Sequence, residues 1–122
     1  MTNTVDFSLL ANSGTRLRSF KAGETIFKEG DGGDEMFVVH SGQVEIRRGN
    51  RVLETVPEKS IFGEMALIDD GPRSATVVAK TDVTVVPVSE KQFLFLVRET
   101  PFFALNVMRT LVHRLRAANE AV

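Results

Sequence analysis

Phe62-Gly63-Glu64-Met65-Ala66-Leu67-Ile68-Asp69-Asp70-Gly71-Pro72-Arg73-Ser74-Ala75-Thr76-Val77 brings a glycine, a carboxylate and one arginine into a short span. Gly63 permits backbone angles and a close approach that a side chain would block, and the amides of Glu64, Met65 and Ala66 then open a short helix. Free N–H groups at a helix start attract an anion. Past the loop Asp69-Asp70-Gly71-Pro72, Arg73 begins the run Ser74-Ala75-Thr76-Val77-Val78. A strand there would carry its guanidinium back toward those amides, and its planar fork suits a phosphate.

Working outward, the chain between Arg16 and Val88 consists of short alternating or β-branched runs. These are broken by Gly23, Gly30, Gly32-Gly33, Gly42, Gly49-Asn50 and Gly71-Pro72. Many short strands at near-regular spacing point to an all-β roll or barrel. Gly49-Asn50 reads as a tight hairpin turn between Val44–Arg47 and Val52–Val56, and Thr81-Asp82 plays the same part between Ser74–Ala79 and Val83–Val88. The period then switches. Ser89-Glu90-Lys91-Gln92 forms a capping box ahead of Phe93, Leu94, Leu96 and Val97, and Thr100-Pro101 restarts the chain as N-cap and first helical residue. Beyond it Leu105, Met108, Val112 and Leu115 form an apolar stripe, expected to face the core rather than a dimer seam. Residues 6–12 can form a further short helix that starts at Asp6 and is ended by Ser13-Gly14.

These motifs in this order closely resemble the cyclic nucleotide-binding domain family, whose phosphate-binding cassette matches Phe62-Gly63-Glu64 followed by Pro72-Arg73-Ser74-Ala75-Thr76. Upstream, Gly23, Phe27-Lys28-Glu29-Gly30-Asp31, Gly33-Asp34, Met36–Val39 and Ser41-Gly42-Gln43-Val44 follow the glycine and acidic spacing of that family's β-roll. The likeness runs from Phe20 to Asn119. It implies a mainly β fold with flanking helices: an antiparallel, jelly-roll-like β-roll, a cassette helix and two C-terminal helices. The expected plan is one domain over 1–122, with an N-terminal helical segment at 1–15, the roll at 16–88 and the C-terminal helices at 89–122.

The resemblance also implies roles. Gly63, Glu64, Met65, Ala66, Arg73, Ser74, Ala75 and Thr76 would form the ligand site, with Glu64 accepting from a ribose 2′-hydroxyl and Arg73 holding the phosphate. Ser74 would lie by the phosphate and the base, and Thr76 and Met65 would line the base. Alanine at position 74 would lean toward adenine, whereas a hydroxyl also reaches the exocyclic amine of guanine. Bacterial members with the same Pro-Arg-Ser-Ala-Thr run bind cyclic AMP, so cyclic AMP is expected first, with cyclic GMP a weaker competitor. The last helix often serves the family as a lid or a dimer interface. Its adenine-reading Thr-Ser pair in transcription activators is replaced here by Ala118-Asn119, which puts base contact from that helix in doubt.

Composition narrows the classes. At 122 residues with 43% hydrophobic content the chain fits one domain with a real core. Zero cysteines remove disulfides and thiol chemistry and suit a reducing cytoplasm. Two histidines, well separated, make no metal centre, and no apolar run approaches the ~18 residues that a membrane span requires. A net charge of −1 gives no general attraction to nucleic acid. The expectation is a cyclic-nucleotide sensor, not an enzyme, without cofactor or metal. Occupancy would reach an unknown effector protein through the C-terminal helices, with no direct DNA binding, no membrane, and a homodimer through the last helix as one option.

Blander readings compete. Arg73 can be a strand arginine paired with Asp69 or Asp70, Glu64 a first-turn acid favoured by the helix dipole, and Ser74 a solvent-facing hydroxyl. Gly33, Gly42, Val44 and Thr76 read as turn and wall residues, His40 as a turn-side surface histidine, and His113 as part of a solvated face. Arg109, Arg114 and Arg116 favour a helix C-terminus. The alternatives as wholes are the sensor half of a Crp-type transcription regulator acting by dimerisation, a metal-dependent cupin-like enzyme, and a scaffold that binds no nucleotide.

Overall fold

The computed structural model describes residues 16–69 and 71–120, and the backbone alone at 119 and 120. The helix expected at residues 6–12, the residue Asp70 and the side chain of Asn119 lie outside the described residues. Eight strands run as β1 (Arg18–Phe20), β2 (Thr25–Phe27), β3 (Glu35–Ser41), β4 (Val44–Arg48), β5 (Arg51–Val56), β6 (Ile61–Phe62), β7 (Thr76–Ala79) and β8 (Val83–Ser89). The helices are α1 (Glu64–Asp69), α2 (Glu90–Glu99) and α3 (Pro101–Glu120).

The strands form two four-stranded antiparallel sheets, ordered β1-β8-β3-β6 and β2-β7-β4-β5. This is the β-roll with a cassette helix and C-terminal helices. Strand β3 explains the layering, because its run Met36-Phe37-Val38-Val39 is buried at every position. Successive side chains leave a strand on opposite faces, so an unbroken buried run means that both faces are covered. Phe37 and Val39 pack between the sheets with Val44, Val56, Phe62, Val77 and Val85. Met36 and Val38 pack outward with Val86, Val88, Leu96, Phe103 and Val107, under α2 and α3.

Three expectations are corrected. The Gly49-Asn50 hairpin forms, with β4 against β5 and Gly49 at φ +62, but residues 80–82 make no hairpin. Strand β7 pairs with β2 and β4, whereas β8 pairs with β1 and β3, so that turn carries the chain from one sheet to the other. The strand expected from Ser74 starts at Thr76, which leaves Arg73, Ser74 and Ala75 in an irregular approach. The stripe Leu105, Met108, Val112 and Leu115 does not face the core: these residues are 37%, 57%, 47% and 62% exposed. Helix α3 instead buries Phe103, Val107 and Thr110, with Leu111 partly buried against the same cluster.

The capping box forms as read: the Ser89 hydroxyl accepts from Gln92 N–H, and the Gln92 side chain accepts from Ser89 N–H at 2.9 Å. Thr100 acts chiefly backward, donating both its N–H and its hydroxyl to Leu96 O at 2.8 Å, which closes α2. Phe103 and Phe93 meet edge to face at 5.4 Å and lock the two helices together at this corner.

Candidate functional site

The segment between α1 and β7 is tied down before its side chains do anything. Arg73 N–H donates to Asp31 O and Arg73 O accepts from Gly30 N–H, both at 2.8 Å. At the first residue of β7, the Thr76 hydroxyl accepts from Glu29 N–H at 3.0 Å. The loop between β2 and β3 is thus stitched along this segment.

The Arg73 side chain then turns inward and is only 7% exposed. Its guanidinium carbon lies 4.1 Å from the centroid of the Phe27 ring and 5.7 Å from that of Phe37. Phe27, Phe37 and Phe62 stand 5.2 to 6.1 Å apart, so the cation rests on an aromatic cluster whose ring faces attract it. Nη1 donates to Gly63 O at 3.0 Å, while Nε is buried without a partner. Burial pushes the guanidinium below its ordinary pKa, and the nearby carboxylates of Glu35, Asp34, Asp31 and Glu64 partly offset that. An arginine remains charged even so. A buried cationic N–H with no acceptor is costly, and an incoming oxyanion would satisfy it.

Gly63 is needed twice. Its φ is +75, a region that side chains disfavour, and a Cβ there would lie 2.9 Å from Arg73 Nη1. The sequence therefore brings Gly63 and Arg73 together as expected, beside the start of the six-residue helix α1. Of the other expected residues, Ala66 and Ala75 are buried, Thr76 is half-buried, and Ser74 is exposed with its carbonyl accepting from Arg48 at 3.2 Å. Met65 is 47% exposed, available to a ligand from the solvent side.

Glu64 is 2% exposed and is taken up by a residue that the sequence suggested only as favouring a helix C-terminus. Arg114, on α3, donates Nη1 to Glu64, Nε to Glu54 at 2.8 Å and Nη2 to Ile61 O at 2.7 Å. Burial pulls this guanidinium down, but Glu64 and Glu54 more than compensate and its pKa is raised overall. The reading of Arg114 as compensation for a helix end is corrected: it ties the last helix to the cassette and to β5. Its position three and seven residues beyond Leu111 and Val107, on the buried face, was the available signal. Phe27 and Gly33 were also missed as partners of Arg73.

His40 is exposed and its Nδ1 lies 3.1 Å from the Thr84 hydroxyl. Among the described residues no group of three or more His, Cys, Asp or Glu could hold a metal ion, and no helix is long and apolar enough to cross a membrane.

Comparison with known proteins identifies the family and the fold. The family model described as cyclic nucleotide-binding domain matches residues 17–100. The chain is 36% identical over 115 residues to the cyclic AMP receptor protein of Thermus thermophilus, covering 90% of this chain and 53% of that protein. It superposes on cAMP-bound PfPKA-R with a TM-score of 0.77 at 31% identity, covering 88% of this chain and 37% of the other. A structure from a cyclic-GMP-dependent signalling pathway that regulates bacterial phytopathogenesis matches with a TM-score of 0.75 at 27% identity, covering 93% and 96%. The chain spans about half the length of the curated relatives it matches.

Proposed function

The chain belongs to the cyclic nucleotide-binding domain family, and from that premise we propose that it binds cyclic AMP, with cyclic GMP the weaker competitor, and signals occupancy through α3. The observation that carries the reading is Arg73, buried on its aromatic cluster, bonded to Gly63 O and left with an unmet Nε–H. That donor suits the singly charged cyclic phosphate. Glu64 would take the ribose 2′-hydroxyl, and the Ser74 hydroxyl would meet the phosphate and the base edge. The relatives that carry cyclic AMP or cyclic GMP in their descriptions support a cyclic nucleotide and leave the base to Ser74 and its neighbours.

Transmission follows from a shared carboxylate. Glu64 holds Arg114, so a ribose hydroxyl arriving at Glu64 would compete with or reorient the contact that anchors α3. Ligand binding moves α3 only to the extent that the two helix positions differ in affinity for the ligand. The protein would then act as a sensor without catalytic chemistry, delivering its signal to an effector protein. A cytoplasmic setting is part of this reading and is supported by the absence of cysteine from the sequence.

One observation favours a second reading, the sensor half of a Crp-type regulator that works by dimerisation. Leu105, Met108, Val112 and Leu115 are spaced as the a and d positions of a heptad and stand exposed along α3. Calorimetric titration of nucleotide-free protein with cyclic AMP and, separately, with cyclic GMP tests the main proposal. Micromolar or tighter binding of one, lost in Arg73→Ala, is the expected outcome. Absence of heat with either from folded protein would leave a scaffold with a vestigial cassette.

A further inference from the structure

Two adjacent glycines in the loop between β2 and β3 have opposite surroundings. A Cβ built on Gly32 meets nothing within 4 Å, whereas one built on Gly33 would lie 2.5 Å from both Nε and Nη2 of Arg73 and 2.7 Å from its guanidinium carbon. Gly33 has no left-handed backbone angle to account for a glycine there. Its bareness is filled by the Arg73 fork.

We propose that Gly33 is a positioning residue for anion capture: by lacking a side chain it lets the β2–β3 loop close over the Arg73 guanidinium and hold it against Phe27 and Gly63. This rests on the reading of Arg73 as the phosphate ligand. The loop's backbone is already bonded to the Arg73 backbone through Gly30 and Asp31, so the loop cannot simply back away from an added methyl. The guanidinium has to leave instead. Leaving gives up the Nη1 bond to Gly63 O at 3.0 Å and the seat 4.1 Å above Phe27. The fork then starts each encounter with the ligand from solvent, with side-chain freedom to lose.

The test compares cyclic AMP binding by the natural protein, Gly32→Ala, Gly33→Ala, Arg73→Ala and the double variant Gly33→Ala/Arg73→Ala. Gly33→Ala is expected to weaken binding by about tenfold, the scale of one charge-assisted hydrogen bond, and Gly32→Ala to leave it unchanged. In the Arg73→Ala background the same change should add nothing, because the atom it displaces is gone. Weakening by less than about threefold in Gly33→Ala, or an equal further loss in the double variant, overturns the proposal. If Gly33→Ala does not fold, a folded double variant supports the clash with Arg73, and an unfolded one assigns the glycine to the loop backbone and overturns it.

A second arm needs no nucleotide. The 15N–1H signal of Arg73 Nε in the free protein should be shifted by the Phe27 ring and slow to exchange, and in Gly33→Ala it should move to the position of exposed arginines. If the natural protein binds neither nucleotide, the functional reading fails and this signal alone judges Gly33. An unmoved signal overturns the positioning role.

Discussion

Arg114 and Glu64 form an ion pair across 50 positions of the chain, one from the last helix and the other from the first turn of the cassette helix. Glu64 is almost fully buried and Arg114 largely so, at 3% and 20% side-chain exposure. Removing one partner leaves the other charge without compensation in a poorly hydrated place. Arg114→Met, which keeps most of the stem volume, should therefore lower unfolding stability by about 3 to 5 kcal/mol. Urea denaturation measures it, and adding Glu64→Gln should recover a large part of the loss. A loss under about 1 kcal/mol would place the pair in the weak class of surface ion pairs.

Arg73→Ala should weaken cyclic AMP binding by about a hundredfold, the equivalent of ~3 kcal/mol for a charge-assisted contact in a sheltered site. Arg73→Lys should recover only part of this, since an ammonium lacks the planar fork. Calorimetry on both variants decides, and a change below about threefold in Arg73→Ala would remove Arg73 from the site.

The ribose contact has its own signature. The natural protein should prefer cyclic AMP over its 2′-deoxy analogue by about tenfold, one hydrogen bond to a carboxylate. In Glu64→Ala the two ligands should bind alike. A gap that survives the substitution would assign the hydroxyl to another residue.

The exposed stripe separates stability from assembly. Leu115→Asp should change unfolding stability by no more than about 0.5 kcal/mol, as surface substitutions do, whereas Phe103→Ala on the buried face should cost about 3 to 5 kcal/mol. Should copies associate through α3, sedimentation of Leu115→Asp will show the monomer alone. Comparable stability losses from both variants would mean that the stripe packs within one copy.

The cassette was legible because its members lie within sixteen residues of one another and each has a local reason: Gly63 for its backbone angle, Arg73 for its fork. The strands and the Ser89 capping box were legible for the same reason. What escaped was set by distance. The turn at residues 80–82 looks like any hairpin turn, and only the pairing of β7 with β4 and of β8 with β3 sends its two strands to different sheets. Helix α3 carries two apolar stripes, and the more regular one is exposed, while the core takes Phe103 and Val107. Arg114 has no nearby acid in sequence to announce it, since its partners are Glu54 and Glu64. Gly33 is informative only once Arg73 is seen to lie where its side chain would be.

Thr100 separates α2 from α3 with a single residue, its φ and ψ at −136 and 87. Nothing else in the main chain has to turn for one helix to pivot on the other. At 1.5 Å per residue, the 20 residues of α3 reach about 30 Å from that joint. A swing of ~10° about it would carry the far tip by about 5 Å, close to a full helical turn. A shift of a few tenths of an ångström at Phe103, about 5 Å from the joint, is therefore multiplied several-fold at the far end, whereas Arg114, about 21 Å out, travels nearly as far as the tip itself: the corner is the fulcrum of a lever, with Phe103 on its short arm and Arg114 on its long one.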